Sequence, residues 1–209
     1  MCYPICLDVK GRKCVVVGGG KVAERKVQSL LDCEAKILII SPEVSTGLAE
    51  LAKKGAVEHL RRKFQSGDLQ DAFLAIAASD EKETNLCVHQ EAAGKKVLVN
   101  IADQPELCNF FLPSVLRRGD FQIAVSTAGK APGLARRVRE QLELEFGPEY
   151  GPYTEVLGTV RESLRAKVAE PGARGRLLEK ALEMDLLDSL RKGKEVSASE
   201  VVESLLDQV

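Results

Sequence analysis

Histidine is nearly absent: His59 and His89 are the only two, far apart in sequence, so spacing offers no histidine-based metal cluster and no metal ligand set is expected. The six cysteines (Cys2, Cys6, Cys14, Cys33, Cys87 and Cys108) are scattered, with no C-x-x-C pair. That pattern excludes a zinc ribbon or a disulfide framework and predicts separate, buried thiols in a reducing compartment. There is no apolar run of roughly 18 residues. The opening MCYPICLDVKG also lacks the basic start, apolar stretch and small-residue cleavage site of a secretory signal. A cytoplasmic protein without membrane association is expected. An excess of charge of one sign is missing too: 30 Lys and Arg against 31 Asp and Glu give a net charge of −1. General nucleic-acid binding, which depends on releasing counterions with a surplus of cations, is thereby excluded as a partner mode. No internal repeat or low-complexity segment interrupts the chain.

What is present begins with Arg12 to Lys26, RKCVVVGGGKVAERK. An apolar run, Cys14 to Val17, meets three glycines and passes directly into a helical pattern, the signature of strand, tight turn and helix. Gly18, Gly20 and Ala23 fill the three positions of the dinucleotide fingerprint G-x-G-x-x-G/A. Gly18 permits the turn, Gly20 lets backbone N–H groups approach a pyrophosphate, and the small Ala23 allows helix and strand to pack closely. Gly19, Lys21 and Val22 complete the phosphate-facing turn at the helix N-terminus, where unpaired donors and the dipole favour negative charge. Val22, Ala23, Val27, Leu30 and Leu31 are expected on the buried face of that helix.

The units that follow repeat the alternation. Lys36 to Ser41 is a short apolar strand stopped by Pro42, and Glu43 to Lys54 is a helix closed by Gly55. Val57 to Lys63 and Phe73 to Ala78 read as strands, Glu81 to Ala93 as a helix closed by Gly94 with Leu86 and Val88 to Ala92 on its buried side, and Val97 to Ile101 as the next strand. Such alternation predicts an α/β fold with a doubly wound parallel sheet in residues 1–113. Ligands of these sheets bind beyond the carboxyl ends of the strands. Four loops gather there: Gly18 to Val22, Ser41-Pro42-Glu43, Ser79-Asp80, and Asn100 to Asp103. The strand-end acid that usually holds the adenosine ribose is displaced: Ser41 stands in its place and Glu43 lies two positions on.

After Phe110 the pattern changes. Phe110 to Leu116 and Phe121 to Val125, joined by the polar Arg117-Arg118-Gly119-Asp120, predict a hairpin. Ser126 to Pro132 is a loop of small residues opening a helix over Gly133 to Phe146. Gly147, Pro148, Gly151 and Pro152 mark a boundary. Tyr153 to Lys167, Arg174 to Leu190 and Val196 to Leu206 then read as amphipathic helices, the last with a capping box from Ser197 and Glu200. The expected division is 1–113, 114–147 and 148–209.

One combination is more specific than the glycine turn: Gly18 to Lys26, Ala-Ile-Ala-Ala-Ser-Asp at 75–80, Asn-Ile-Ala-Asp at 100–103, Phe-Leu-Pro-Ser at 111–114 and Ala-Val-Ser-Thr-Ala-Gly-Lys-Ala-Pro at 124–132. Together they closely resemble the precorrin-2 dehydrogenase family, which includes the N-terminal module of siroheme synthase; without a methyltransferase module the chain looks like the stand-alone form. The resemblance implies a Rossmann domain, a dimerisation segment over 114–147 that makes a homodimer, and a helical C-terminal domain. It implies NAD-dependent oxidation of precorrin-2 to sirohydrochlorin, with iron insertion in some members as an alternative second activity. A non-catalytic NAD(H)-sensing module is the alternative of another class. Asp103 matches the aspartate with a catalytic role in the family and is the expected base. The substrate is a polycarboxylate, so Arg117, Lys130 and Arg136 are expected to bind it, with Ser126, Thr127, Gly129 and Asn109 lining the cleft. Helical spacing places Arg136 and Arg139 together and turns Arg137 away.

Overall fold

A computed structural model describes residues 2–207. The chain divides into two compact units, one ending at Leu112 and the other beginning at Pro113. In the first unit β1 (Lys13–Val17), α1 (Lys21–Leu31), β2 (Lys36–Ile40), α2 (Thr46–Lys53), β3 (Glu58–Leu60), β4 (Leu74–Ala77), α3 (Lys82–Lys95) and β5 (Leu98–Ile101) follow one another. The five strands form one parallel sheet in the order β3-β2-β1-β4-β5. A parallel sheet needs crossovers on its faces, and the two faces account for the continuous apolar runs read in the sequence. Cys14, Val16, Ile37, Ile39, Leu74 and Ile76 point to one side, where Ala23, Val27 and Leu30 of α1 and Leu48 of α2 pack. Val15, Val17, Ala75, Ala77, Val99 and Ile101 point to the other, against Val88 and Ala92 of α3. Winding reverses between β1 and β4, at the centre of the sheet.

Several local expectations are corrected. Val22 is exposed and only Ala23, Val27 and Leu30 of the predicted α1 face are buried, because Val22 lies in the first turn, rotated away from the sheet. On α3, Leu86 is exposed and Asn85 takes the buried position, in line with Val88 and Ala92 at helical spacing. Gly94 does not end α3: the helix continues to Lys95, and Lys96 adopts the left-handed conformation at φ 56° while Val97 N–H donates to Ala92 O at 2.9 Å. A closing bond from beyond the helix back to its last turn fixes the end here, so a non-glycine residue is carried into that conformation. α2 starts at Thr46 rather than Glu43, since Ser45 Oγ accepts from Leu48 N–H and caps it. Cys2, Cys6 and Cys87 are exposed, Cys33 and Cys108 half-buried, and only Cys14 is buried. Cys87 falls on the solvent side of α3, beyond the reach of its apolar neighbours in sequence.

The second unit opens with an antiparallel hairpin, β6 (Ser114–Arg118) and β7 (Phe121–Val125), turned at Gly119 with φ +58°. α4 (Pro132–Glu145), α5 (Tyr150–Lys167), α6 (Pro171–Glu183), α7 (Leu186–Arg191) and α8 (Ala198–Leu206) follow. Pro152 lies inside the first turn of α5, where a missing N–H leaves no helical bond unmade. The predicted single helix over 174–190 is two, broken at Met184-Asp185 so that Leu186 can turn into the core of Val160, Leu164, Leu177, Ala181, Val201, Val202 and Leu205. Ser197 caps α8 as expected, accepting from Glu200 N–H. No helix among the described residues is long and apolar enough to cross a membrane.

Candidate functional site

The glycine turn sits at the carboxyl end of β1, where Gly18 takes φ +119°. A side chain on Gly18 would run into Ala78 O at the end of β4, and one on Gly19 into Glu43 O, with Ser41 Oγ 2.9 Å away. Gly20 differs: nothing lies within 4 Å of the position its side chain would take. Two glycines are therefore required by the protein's own packing, and the third leaves open space over the start of α1. Gly20 is the N-cap of α1 and makes no side-chain cap, the first helical bond being Glu24 N–H to Gly20 O. The amides of Lys21, Val22 and Ala23 precede that bond and are the donors an anion at this helix end would use. Close backbone approach below and free donors above fit the pyrophosphate of a dinucleotide.

The neighbouring loops are tied to this turn. Ser45 N–H donates to Gly19 O at 2.8 Å, and Ser45 Oγ donates to Glu24 Oε2 at 2.6 Å. Ser41, almost fully buried, donates from Oγ to Glu43 O at 2.6 Å, and its carbonyl accepts from His59 Nε2 at 2.9 Å. Ser41 thus shapes the loop after β2, while Pro42 and Glu43 are exposed on it. After β4, buried Asn85 accepts from Ser79 N–H and donates to Ser79 O at 2.9 Å, leaving Asp80 exposed at the edge. Glu24, Ser45 and Asn85 were not singled out from the sequence, and His59 was noted there only as a lone histidine without a metal role. Only Asn85 left a signal there, a carboxamide in line with Val88 and Ala92.

After β5, Ala102 N–H donates to Ala77 O at 2.8 Å, and Asp103 follows in the left-handed region at φ 60°. Aspartate tolerates that conformation better than most residues. The Asp103 side chain is exposed and has no hydrogen-bonding or ionic partner among the described residues. Asn100 Nδ2 donates to Phe110 O at 3.0 Å, and Asn109 uses both ends of its carboxamide on β5, accepting from Val99 N–H at 2.7 Å and donating to Val97 O at 3.1 Å. These two candidates hold the returning chain against the sheet edge.

In the second unit the loop after β7 carries two consecutive left-handed residues, Ala128 and Gly129, at φ 51° and 78°. Ser126 Oγ accepts from Ala128 N–H, and Thr127 Oγ1 accepts from Ala131 N–H at the start of α4. Lys130 is exposed beside them. Arg136 and Arg139 meet as their spacing implies, both on Glu140 Oε1, at 2.8 and 3.3 Å, and Arg139 also pairs with Glu143. Arg136 holds the Glu140 carboxyl below its usual range. Arg117 is exposed on the hairpin, whereas Arg118 donates from Nε to Phe146 O at 3.1 Å. Among the described residues no group of three or more His, Cys, Asp and Glu could hold a metal ion.

Two family models match this chain. A family model described as "Putative NAD(P)-binding" matches residues 5–114, and one described as the sirohaem biosynthesis protein central region matches 118–143. Siroheme synthase 3 of Aeromonas hydrophila is 37% identical over 203 residues, covering 97% of this chain and 43% of its own length. Siroheme synthase of Thioalkalivibrio sulfidiphilus is 36% identical, with 98% and 42% covered. The chain therefore spans less than half the length of these relatives. A solved structure of SirC, a precorrin-2 dehydrogenase, superposes with a TM-score of 0.79 at 28% identity, covering 99% of this chain and all of the other.

Proposed function

The chain belongs to the precorrin-2 dehydrogenase family, homologous to the N-terminal module of siroheme synthase, and on that premise we propose that it oxidises precorrin-2 to sirohydrochlorin with NAD as hydride acceptor. The observation that carries this reading is the shared carboxyl edge of one sheet. It presents a glycine turn after β1 and, two strands away after β5, the exposed carboxylate of Asp103, which has no partner among the described residues. At about 4.8 Å per strand the two lie roughly 10 Å apart.

When bound, the dinucleotide supplies a nicotinamide that accepts a hydride. The chain's own residues must bind it, orient it and take the proton that the tetrapyrrole loses as its hydride leaves. Gly18 to Ala23 hold the pyrophosphate, Ser79 and Asp80 border the path toward β5, and Asp103 accepts the proton. Of the residues from Ser41 to Ser45 only Glu43 is charged; an acid there suits a ribose 2′-hydroxyl and repels a 2′-phosphate, which supports NAD over NADP. Arg117, Lys130 and Arg136, with the Ser126 to Gly129 loop, offer the cations and donors that substrate carboxylates require.

The test is an anaerobic assay with precorrin-2 generated in situ. Formation of sirohydrochlorin with NAD, at least tenfold faster than with NADP, is expected. No oxidation with either would overturn the reading in favour of a dinucleotide sensor. Faster siroheme formation than an enzyme-free control after adding ferrous iron would show a second, chelating activity of the same protein.

We also propose that residues 114–147 join two copies. The β6–β7 hairpin is packed on one face by α4, where Leu116 is buried, but pairs with no other strand among the described residues and leaves Val115 exposed beside Ala124, which leaves its strand edges open to a second copy. Light scattering at micromolar concentration is expected to give the dimer mass; the mass of one chain would refute this.

A further inference from the structure

The turn that carries Asp103 is closed from inside by one sulfur atom. Cys108 Sγ accepts from Ile101 N–H at 3.1 Å and has two carbonyls within its own donating reach, Gln104 O at 3.3 Å and Ile101 O at 3.4 Å. Asn100 Nδ2 lies 3.6 Å from the same sulfur. Both backbone groups of the last residue of β5, and the carbonyl just past Asp103, thus converge on it.

Elsewhere the returning chain is fixed by other means. Asn109 grips Val97 and Val99, and His89 Nδ1 donates to Leu107 O at 2.9 Å. Within the turn the backbone contributes Gln104 N–H to Ile101 O at 3.4 Å, a long bond, and past Asp103 the bonds Leu107 N–H to Gln104 O at 3.1 Å and Cys108 N–H to Pro105 O at 3.2 Å; none of these reaches Ile101 N–H. A left-handed non-glycine residue persists only where its surroundings hold it; Asp103 is flanked by Ala102, held by its bond to Ala77 O, and by Ile101 and Gln104, both of which the sulfur reaches.

We propose that Cys108 is a positioning residue for Asp103: its thiol takes the place of a neighbouring strand at Ile101 and joins Leu107 N–H at Gln104 O, and so keeps the Asp103 backbone in the conformation that aims its carboxylate out of the carboxyl edge. This inference rests on the reading of Asp103 as the base. The long C–S bond lets one side chain touch three backbone groups, a reach that serine shortens and alanine abolishes. Burial foremost, with the Glu106 carboxylate adding to it, pushes the thiol above its usual range, although the Ile101 N–H pulls the other way. At neutral pH it remains a thiol, able to donate as well as accept.

The experiment compares Cys108→Ala, Cys108→Ser and Asp103→Asn with the unmodified protein, reading kcat, KM for precorrin-2 and NAD affinity, with the thermal midpoint of each. Cys108→Ala is expected to lower kcat about tenfold, the scale of a sub-ångström misplacement of a reacting group. KM and NAD affinity should stay within about twofold, since the glycine turn is built from other strands. Cys108→Ser, which keeps a donor and an acceptor, is expected to recover most of that kcat. Unchanged kcat in Cys108→Ala, or a loss taken up mainly by KM or NAD affinity, would overturn the proposal. If Cys108→Ala does not fold, Cys108→Ser decides: a twofold to threefold lower kcat at unchanged KM supports positioning, and kcat equal to the parent refutes it. Full activity in Asp103→Asn would instead sink the base assignment, whatever the cysteine variants do.

Discussion

Asp103→Asn is expected to lower kcat for precorrin-2 oxidation by about 100- to 1,000-fold, within the range a general base contributes, while NAD binding is retained. Asparagine is the informative replacement because it too tolerates the left-handed conformation that Asp103 adopts at φ 60°. Alanine would change the turn and the chemistry together. The carboxamide cannot accept a proton at neutral pH, but it fills the same volume at the same exposed position. Dinucleotide affinity, followed by fluorescence titration with NADH, should remain within about twofold, because the phosphate-facing amides of Lys21 to Ala23 belong to a different strand–helix junction. Loss in kcat with unchanged KM marks an interaction made in the transition state. An Asp103→Asn protein that turns over at the parent rate would remove Asp103 from the mechanism.

How far this site was legible depends on the range of the contacts that build it. The parallel strands declare themselves because a strand covered on both faces must be apolar throughout, and Cys14 to Val17, Lys36 to Ile40 and Leu74 to Ala77 are nearly so. Gly18 carries its reason in its residue type, since φ +119° is closed to other residues. The turn, the parallel winding of the sheet and the loops that share an edge followed from local pattern and one topological rule; the order of the strands came only from the structure.

Contacts between residues distant in sequence were a different matter. Ser41 reads as a loop residue facing ligand, but its hydroxyl is drawn back to Glu43 O and its carbonyl to His59. Asn109 has the chemistry of a substrate contact, yet the open edge of β5 needs the same donors and acceptors. A glycine near a helix end suggested closure at Gly94, while the actual end is set by Val97 N–H reaching Ala92 O. Cys108 gave no sign of its role beyond being one more scattered thiol, because the three backbone groups it meets become neighbours only after the chain turns at Asp103. In each case a polar group answers a backbone demand that exists only in the folded sheet.

Gly20→Ala and Gly19→Ala separate what the dinucleotide needs from what the fold needs. A methyl group on Gly20 meets nothing within 4 Å, and its backbone angles, φ −81° and ψ −175°, suit alanine. The only expense to the fold is a poorer N-cap, so stability should fall by less than about 1 kcal/mol. Yet the methyl enters the open space at the N-cap, which close approach of a pyrophosphate to the start of α1 requires, and NADH affinity is expected to fall at least about 100-fold. Gly19→Ala should lose affinity too, but by another route. Its methyl overlaps Glu43 O and crowds Ser41 Oγ. It therefore forces apart the loop that Ser45 N–H ties to Gly19 O, at about 1–3 kcal/mol of stability for the intrusion of one carbon into packed backbone. Thermal unfolding alongside NADH titration distinguishes the two. Parent-like stability with lost binding in Gly20→Ala, and loss of both in Gly19→Ala, would place the phosphates over Gly20. Full NADH affinity in Gly20→Ala would exclude that placement, because phosphates drawn close over Gly20 would meet the added methyl.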